Sequence, residues 1–279
     1  MTTHYLLDVS WLLYRGYFAF SKIYSEFPEL HFLVKKLESI LSSNKENIIH
    51  MCCDGYNPKG RRLLGSEYKA NRHQEGSYDV YTGLSSFINL LRNDRVKIYY
   101  NKDYESDELI FTLSRLLEGR KKILSGDKDL LQALKSDTVI DSGKSFLITE
   151  ASYKIDYADQ FLEVDPIRLP IFRAIRGDVS DTLKPPVARF PKKVAAKIAS
   201  SIDYDGDTPS VDELLSLSNL SANEKKWLDR LVDSYELFKI NFDIMKLNVI
   251  SSSINEKYER SECELSDFLK TKIQRINSL

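Results

Sequence analysis

Short apolar runs alternate with longer segments of helical periodicity through the first half of the chain. The runs have the length of buried strands, whereas the segments between them repeat apolar residues at the spacing of an amphipathic helix. Strands that alternate with helices favour an α/β fold with a central, mainly parallel sheet flanked by helices. The predicted strands lie near residues 5–7, 47–53, 96–100 and 121–124.

The pattern changes after the last of these strands. Residues 137–148 have the pattern of two short strands joined by a turn, which predicts a hairpin. Helical spacing then dominates, and residues 222–247 carry it without interruption. We therefore expect an N-terminal α/β domain over residues 1–160 and a helical C-terminal subdomain, which binds DNA, over residues 161–279.

Acidic residues follow the carboxyl ends of the four predicted strands. In a parallel sheet these ends share one edge, and ligand crevices form outside that edge. We expect the carboxylates to converge there, and converging carboxylates repel one another unless a cation lies among them. Oxygen ligands suit Mg²⁺ or Mn²⁺. The acids are Asp8, Asp54, Glu105, Asp107, Glu108, Asp127 and Asp129.

Each acid on its own also has a structural interpretation. Asp127 and Asp129 open a segment of helical spacing, where acidic residues stabilise the first turn. Asp178 and Asp181 follow Gly177 in the second half, and they enlarge the cluster if that turn folds back over the sheet edge. The alternative is a helix end followed by a solvated turn. The recurrence of acids at successive strand ends favours a metal site over separate helix caps.

Two basic stretches are candidate contacts to nucleic acid. The stretch after Asp54 interleaves basic residues with tyrosines, a combination that suits phosphate contacts and base stacking, although a solvated face is the alternative. In the second stretch, lysines at a helix start near Pro191 oppose the helix dipole and favour a phosphate partner. The residues singled out are Arg61, Arg62, Tyr68, Lys69, Arg72, Lys192 and Lys193.

Composition narrows the class of protein. The 279 residues are 42% apolar and 29% charged, as in a soluble globular protein. The net charge of −1 gives no overall positive field, so a nucleic-acid partner needs a local basic face. Two of the three cysteines are adjacent and no Cys-x-x-Cys pair occurs, which argues against a disulfide framework or a zinc knuckle. We expect a cytoplasmic protein without membrane contact, encoded by a cell or by a virus such as a bacteriophage.

Five motifs follow one another across about the first 200 residues. They are LLDVSWLLYRGYFAF from Leu6, CCDGYNPKGRRLLGSEYKANR from Cys52, ESDELIFTLSR from Glu105, ILSGDKDLLQAL from Ile123 and IFRAIRGDVSDTL from Ile171. In this order they resemble the motifs of the 5′-nuclease, or flap endonuclease, family. That family includes the 5′-to-3′ exonuclease domain of bacterial DNA polymerase I and the standalone bacteriophage flap endonuclease and ribonuclease H enzymes.

The resemblance implies a PIN-like 5′-nuclease fold that hydrolyses phosphodiesters near 5′ ends with two divalent cations, Mg²⁺ or Mn²⁺. The ligands of the first metal would be Asp8, Asp54, Glu105, Asp107 and Glu108. The ligands of the second, some acting through water, would be Asp127, Asp129, Asp178 and Asp181.

The resemblance also implies how nucleic acid is held. Lys69 and Arg72 belong to a YK-x-x-R segment that contacts the scissile phosphate, and Tyr68 before them stacks on a base. Arg15 matches a helix arginine near the same phosphate. The implied partner is DNA or an RNA–DNA hybrid with a 5′ end or flap, alongside a single-strand-binding protein or clamp of the replication machinery. We expect a monomer that acts in primer removal or repair.

Three departures from the family pattern affect these expectations. Glu108 stands where the family has Asp, so we expect its longer side chain to bind metal indirectly. Residues 184–191 replace a glycine-rich helix-hairpin-helix loop, and their prolines lack N–H groups for phosphate, which weakens the case for potassium and duplex binding. The segment between Arg72 and Glu105 is short for a helical arch, which favours exonuclease action over threading of long flaps.

Two other functions agree with parts of the pattern. A phosphatase of the haloacid-dehalogenase type also uses strand-end aspartates, but it needs a second Asp where this chain has Ser10. A catalytically impaired docking module of the same fold would be free to lose its mutually repelling carboxylates, whereas the acidic set here is nearly complete. The leading hypothesis is therefore a metal-dependent 5′ nuclease.

Overall fold

Five strands form a single sheet in the computed structural model, which describes residues 2–55, 79–258, 260 and 262–279. They are β1 (Thr3–Asp8), β2 (Ile48–Cys53), β3 (Val96–Tyr100), β4 (Arg120–Leu124) and β5 (Thr138–Asp141). Their order across the sheet is β3-β2-β1-β4-β5, and each neighbouring pair runs parallel. The prediction of a central, mainly parallel sheet is confirmed.

Helices connect the strands and make up most of the second half. They are α1 (Val9–Phe20), α2 (Pro28–Ser43), α3 (Leu84–Leu90), α4 (Ser106–Leu116), α5 (Glu150–Asp156), α6 (Ala158–Phe161), α7 (Leu169–Arg176), α8 (Lys192–Ser201), α9 (Val211–Leu215), α10 (Ala222–Asp233), α11 (Tyr235–Met245) and α12 (Asp267–Ser278). Short 3₁₀-helices occupy Asp129–Ala133 and Pro166–Arg168. Among the described residues, none of the helices has the length and apolar character needed to span a bilayer.

The sheet buries both of its faces. Because successive side chains of a strand point to opposite faces, Leu6 and Leu7 of β1 enter different apolar clusters. Leu6 packs with Leu109 of α4 and with helices of the second half, including Phe238 of α11. Leu7 packs in a cluster shared by α1, α2, α3 and the C-terminal α12. Full burial of one such leucine stabilises the fold by about 2 kcal/mol. The cluster that contains Leu6 includes residues from both predicted subdomains.

The chain returns to the sheet after α11. The backbone N–H of Tyr100 donates to the carbonyl of Ile254, and its carbonyl accepts from the N–H of Glu256, both at 2.9 Å. These bonds cover the outer edge of β3, whose unpaired backbone groups would otherwise be open to another chain. The same return places α12 against α2 and α3.

Three segments differ from the sequence interpretation. The predicted hairpin is reduced to one antiparallel bridge between Ile140 and Ile148, since residues 143–147 are exposed and bury no apolar face. The first of its two predicted strands, β5, instead pairs in parallel with β4. The segment after Asp127 forms a 3₁₀-helix. The helical stretch over residues 222–247 is divided at Ser234 into α10 and α11. A serine hydroxyl competes for backbone hydrogen bonds, so serine is common at helix ends.

Candidate active site

The carboxyl ends of neighbouring strands bring several of the predicted acids to one edge of the sheet. Asp8 is the last residue of β1, and Asp54 directly follows β2. The parallel register pairs Asp8 with Cys52 and Leu7 with Leu124 of β4, so the segment with Asp127 starts beside Asp8. The convergence expected from strand order is therefore present for these acids.

Asp8 is held by groups from three elements. Its carboxylate caps α1 by accepting from the Trp11 N–H at 3.1 Å. It also accepts from Ser125 Oγ, just after β4, at 2.6 Å, and from Ser106 Oγ, at the start of α4, at 3.2 Å. These contacts fix the orientation of the carboxylate at the centre of the edge.

The pKa of Asp8 is raised from 3.8 to about 7, mainly by burial and also by the nearby charges of Asp54 and Asp127, while the hydrogen bonds from Ser125 and Trp11 act in the opposite direction. A carboxyl group with this environment is unfavourable as an isolated anion. A cation at the edge would offset the repulsion between Asp8 and the neighbouring carboxylates, as it does in a metal site.

Asp54 is anchored beside Asp8. One oxygen, Oδ2, accepts from Ser10 Oγ at 2.5 Å and from the Tyr81 hydroxyl at 3.3 Å, and Oδ1 accepts from the Ser106 N–H at 2.7 Å. The next residue, Gly55, has no room for a side chain, because a Cβ there would lie 2.5 Å from the Lys102 carbonyl. The glycine thus permits the loop before α4 to close on the strand end.

Asp107, Asp127 and Asp129 form the tightest acidic group among the described residues. Each offers a carboxylate oxygen, and the three oxygens lie within 4.8 Å of one another. Asp107 and Asp129 are buried, whereas Asp127 is exposed and opens the group to solvent. Hard oxygen ligands at this spacing fit a divalent cation such as Mg²⁺ or Mn²⁺. Asp107 belongs to the set that the resemblance gives to the first metal, yet it lies with two acids of the second set.

Glu105 and Glu108 cap the helix that carries Asp107. The Glu105 side chain accepts from the Glu108 backbone, and Glu108 Oε2 accepts from the Glu105 N–H at 3.0 Å. The Glu108 N–H also donates to Asp107 Oδ1 at 2.7 Å. This reciprocal capping box fixes the first turn of α4, so both glutamates orient Asp107 through the backbone.

Asp178 lies in a tight turn after α7. The turn is closed by paired hydrogen bonds between the backbones of Asp178 and Leu183, and Ser180 donates from N and Oγ to Asp178 Oδ1 at 2.8 and 2.5 Å. Asp181 is buried in the same turn. Gly177 makes the turn possible, since its φ is +67° and a Cβ would lie 2.6 Å from the Leu183 carbonyl.

Arg173 of α7 connects this turn to the sheet edge. Its guanidinium forms ion pairs with Asp129 and with Asp178. Partial burial would raise the pKa of Asp178, but the hydrogen bond and charge of Arg173, with the hydrogen bonds of Ser180, hold that pKa below its ordinary value. The structure therefore brings Asp178 to Asp129 through a buried arginine.

The candidate nucleic-acid contacts are only partly described. Arg15 lies with its guanidinium carbon 5.1 Å from the Trp11 ring centroid and donates from Nη2 to the Gly143 carbonyl at 3.2 Å. Lys192, the first residue of α8, donates to the Asp159 carbonyl, and the next residue, Lys193, is exposed. The remaining candidates lie outside the described residues: Arg61, Arg62, Tyr68, Lys69 and Arg72.

Sequence reasoning missed the groups that hold the acids in place. A signal for the hydroxyl donors was present, because a serine lies within two positions of an acid in three of the four strand-end motifs: Ser10, Ser106 and Ser125. Tyr81 and Arg173 carried no such signal, since each reaches the site from a helix or loop distant in sequence. The missed groups are hydrogen-bond donors or cations, which is what a cluster of carboxylates requires.

The chain matches known proteins in sequence. Residues 3–158 match the family model of the 5′-3′ exonuclease N-terminal resolvase-like domain. DNA polymerase I of Bacillus caldotenax is 24% identical over 217 residues, which are 75% of this chain and 24% of that protein. The 5′-3′ exonuclease of Mycoplasmopsis pulmonis is 25% identical over 188 residues, which are 64% of this chain and 60% of that protein. The chain thus spans about a quarter of the length of the DNA polymerase I relatives that it matches.

Solved structures share the fold. A bacteriophage T5 flap endonuclease in complex with DNA and metal ions has a TM-score of 0.65 and 15% identity, with 100% of both chains covered. A T5 5′-exonuclease with bound zinc has a TM-score of 0.60 and 17% identity, covering 87% of this chain and 88% of that chain. The catalytic core of Rad2 with DNA substrate has a TM-score of 0.51 and 10% identity, covering 100% of this chain and 87% of that one. The PIN-like fold expected from the motifs is confirmed, and the family match over more than half of the residues shows that this chain belongs to the 5′-3′ exonuclease family.

Proposed function

We propose that the protein is a metal-dependent 5′-to-3′ exonuclease and structure-specific flap endonuclease. Its substrate is DNA or an RNA–DNA duplex with a 5′ end or flap, and its role is primer removal in replication, or repair. The observation that carries the proposal is the acidic group of Asp107, Asp127 and Asp129, whose carboxylate oxygens lie within 4.8 Å of one another beside Asp8. Family membership supports the reaction class.

Bound divalent cations would supply an activated water and neutralise charge on the phosphate. Asp107, Asp127 and Asp129 hold such an ion in this proposal, with Asp8 and Asp54 completing the rim of the site. Glu105 and Glu108 act by fixing the turn that carries Asp107. The buried carboxylates keep bulk water away from the ion on the protein side, while exposed Asp127 faces the side from which a phosphodiester approaches.

The basic residues bind the substrate in this proposal. Lys69 and Arg72 neutralise charge that develops on the scissile phosphate, and Tyr68 stacks on a base. The remaining contacts, to backbone phosphates, come from Arg15, Arg61, Arg62, Lys192 and Lys193. The nuclease domain comprises residues 1–160 and the DNA-binding subdomain residues 161–279. The protein acts as a cytoplasmic monomer, of cellular or phage origin, with a single-strand-binding protein or clamp as partner.

Cleavage of end-labelled 5′-flap, nicked and RNA-primed duplexes with and without Mg²⁺ tests the proposal. We expect the wild-type protein to release short 5′ products only when Mg²⁺ or Mn²⁺ is present. The variant Asp127→Asn should bind the same duplexes and lose cleavage by about a hundredfold or more, since its exposed carboxylate is the one that faces substrate.

The matched control is Asp141→Asn. Asp141 also ends a strand at this edge, but it forms an ion pair of 3.0 Å with Lys122 and lies outside the acidic group. It should cleave as the wild-type protein does. Normal Mg²⁺-dependent cleavage by Asp127→Asn would refute the assignment, and binding without any cleavage by the wild-type protein would favour a docking module instead.

A further inference from the structure

Arg173, a buried arginine of α7, contacts the acidic group of Asp107, Asp127 and Asp129 through Asp129. Its two Nη atoms reach Asp129 Oδ1 and Asp178 Oδ2 respectively. A guanidinium presents its donors in a rigid planar fork that suits two carboxylates at once. Asp129 and Asp178 therefore already have a shared positive partner that belongs to the protein.

We propose that Arg173 is a built-in counter-ion that weakens the binding of a second divalent cation. This inference deepens the proposed function and rests on it, because the two carboxylates that Arg173 holds are among those which the 5′-nuclease assignment gives to the second metal. A cation that binds between Asp129 and Asp178 must displace the guanidinium. The protein free of nucleic acid thus binds one divalent ion tightly and a second one weakly. The tight ion lies at the acidic group of Asp107, Asp127 and Asp129, where Asp129 uses Oδ2, the oxygen that is not paired with Arg173.

The packing of α7 keeps Arg173 in this position. Neighbouring residues Phe172 and Ala174 are buried in the same apolar core as Leu6, so the helix cannot turn its arginine outward without exposing them. Arg176, three residues later on the same helix, instead donates to the Phe190 carbonyl. The two arginines therefore share a helix and a charge, but only Arg173 contacts carboxylates of the candidate site.

Counting bound Mn²⁺ by electron paramagnetic resonance, in the absence of nucleic acid, tests this role. We expect the wild-type protein to bind one Mn²⁺ tightly and a second at least about tenfold more weakly. In Arg173→Met the second ion should bind about tenfold or more tighter than in the wild-type protein. Arg176→Met is the matched control and should bind Mn²⁺ as the wild-type protein does.

A second variant guards against loss of folding, because Met leaves two carboxylates without a cation. Arg173→Lys keeps the charge but has no planar fork, so the second Mn²⁺ should bind more tightly than in the wild-type protein. Its melting temperature should also rise more on addition of Mn²⁺. Equal affinity for the second ion in the wild-type protein and in a folded Arg173 variant would overturn the inference, as would an equal rise in melting temperature.

These outcomes are separate from those of the nuclease assay. Unchanged Mn²⁺ binding in the Arg173 variants, with normal cleavage by the wild-type protein, would remove the counter-ion role and leave the proposed function intact. Tighter Mn²⁺ binding in those variants, with no cleavage of any duplex by the wild-type protein, would remove the proposed function and leave the competition between arginine and cation intact.

Discussion

Ser125 Oγ donates a hydrogen bond of 2.6 Å to Asp8 Oδ2 across the sheet edge where β4 and β1 end. Ser125 is fully buried and Asp8 is nearly so. A hydrogen bond to a charged acceptor is stronger than one between neutral groups, and burial makes its loss more costly. The serine therefore supplies the shortest of the three hydrogen bonds that orient this carboxylate.

Replacing Ser125 by Ala should lower the free energy of unfolding by about 1–3 kcal/mol, because Asp8 stays buried and loses its shortest hydrogen bond. Urea denaturation without divalent cations measures the change. Ser278→Ala is a suitable control, since Ser278 is exposed and its hydroxyl donates to the Arg275 carbonyl of the same helix at 2.8 Å. If both variants unfold at the wild-type midpoint, Ser125 does not hold Asp8.

Replacing Asp8 by Asn should have opposite effects on stability with and without metal. Without divalent cations we expect a gain of ~1 kcal/mol, because the variant removes a buried charge that repels Asp54. With Mg²⁺ the gain should become a loss relative to the wild-type protein, since a ligand that binds the native state stabilises it by about 2.7 kcal/mol at a hundred times its dissociation constant. Thermal unfolding with Mg²⁺ and with a chelator measures both. An equal Mg²⁺-induced rise in melting temperature for Asp8→Asn and wild type would contradict a metal role for Asp8.

The sheet and its acidic edge could be predicted because they depend on local patterns. The apolar runs of β1, β2 and β4 have the length of strands. Asp8 ends the first, Asp54 directly follows the second and Asp127 comes three residues after the third. Parallel pairing then places the strand ends together without any knowledge of side-chain contacts. The predicted hairpin after Asp137 is present only as the antiparallel pair of Ile140 and Ile148, because a local turn signal cannot show that residues 143–147 bury no apolar face.

The partners of the acids could not be predicted, because they depend on how distant segments pack. Arg173 reaches Asp129 only after α7 has packed against the core around Leu6. Tyr81 reaches Asp54 from the turn before α3. Neither position has a distinctive sequence signal, since an arginine within a helix is most often a solvated residue.

Gly177 offers a test of the turn that carries Asp178. We expect Gly177→Ala to lower the free energy of unfolding by about 2 kcal/mol or more, because its φ of +67° is unfavourable for alanine and a Cβ would lie 2.6 Å from the Leu183 carbonyl. Gly206→Ala is the matched control: its φ is +115°, but a Cβ there would meet nothing within 4 Å. Chemical denaturation should therefore show a smaller loss for Gly206→Ala, about 1 kcal/mol, which comes from the backbone conformation alone. Equal losses would mean that backbone strain alone matters and that the turn has room for a side chain.

His50 should make stability depend on pH below neutrality. Burial lowers the pKa of His50 from 6.5 to about 4, with further contributions from His4 and Lys97, and its ring contacts His4 at 2.9 Å and the Tyr99 hydroxyl at 3.2 Å. Because the pKa of His50 is lower in the folded state than in the unfolded state, the unfolded state binds more protons between pH 4 and pH 6.5. The contribution of neutral His50 to the free energy of unfolding is therefore complete above pH 6.5 and declines towards pH 4. Wild-type protein should lose at most roughly 3 kcal/mol through this group. Urea denaturation from pH 7 to pH 4.5 should show a shallower decline of the free energy of unfolding for His50→Leu than for the wild-type protein. His4→Asn should keep most of the wild-type slope. Parallel slopes for all three proteins would contradict the role of His50.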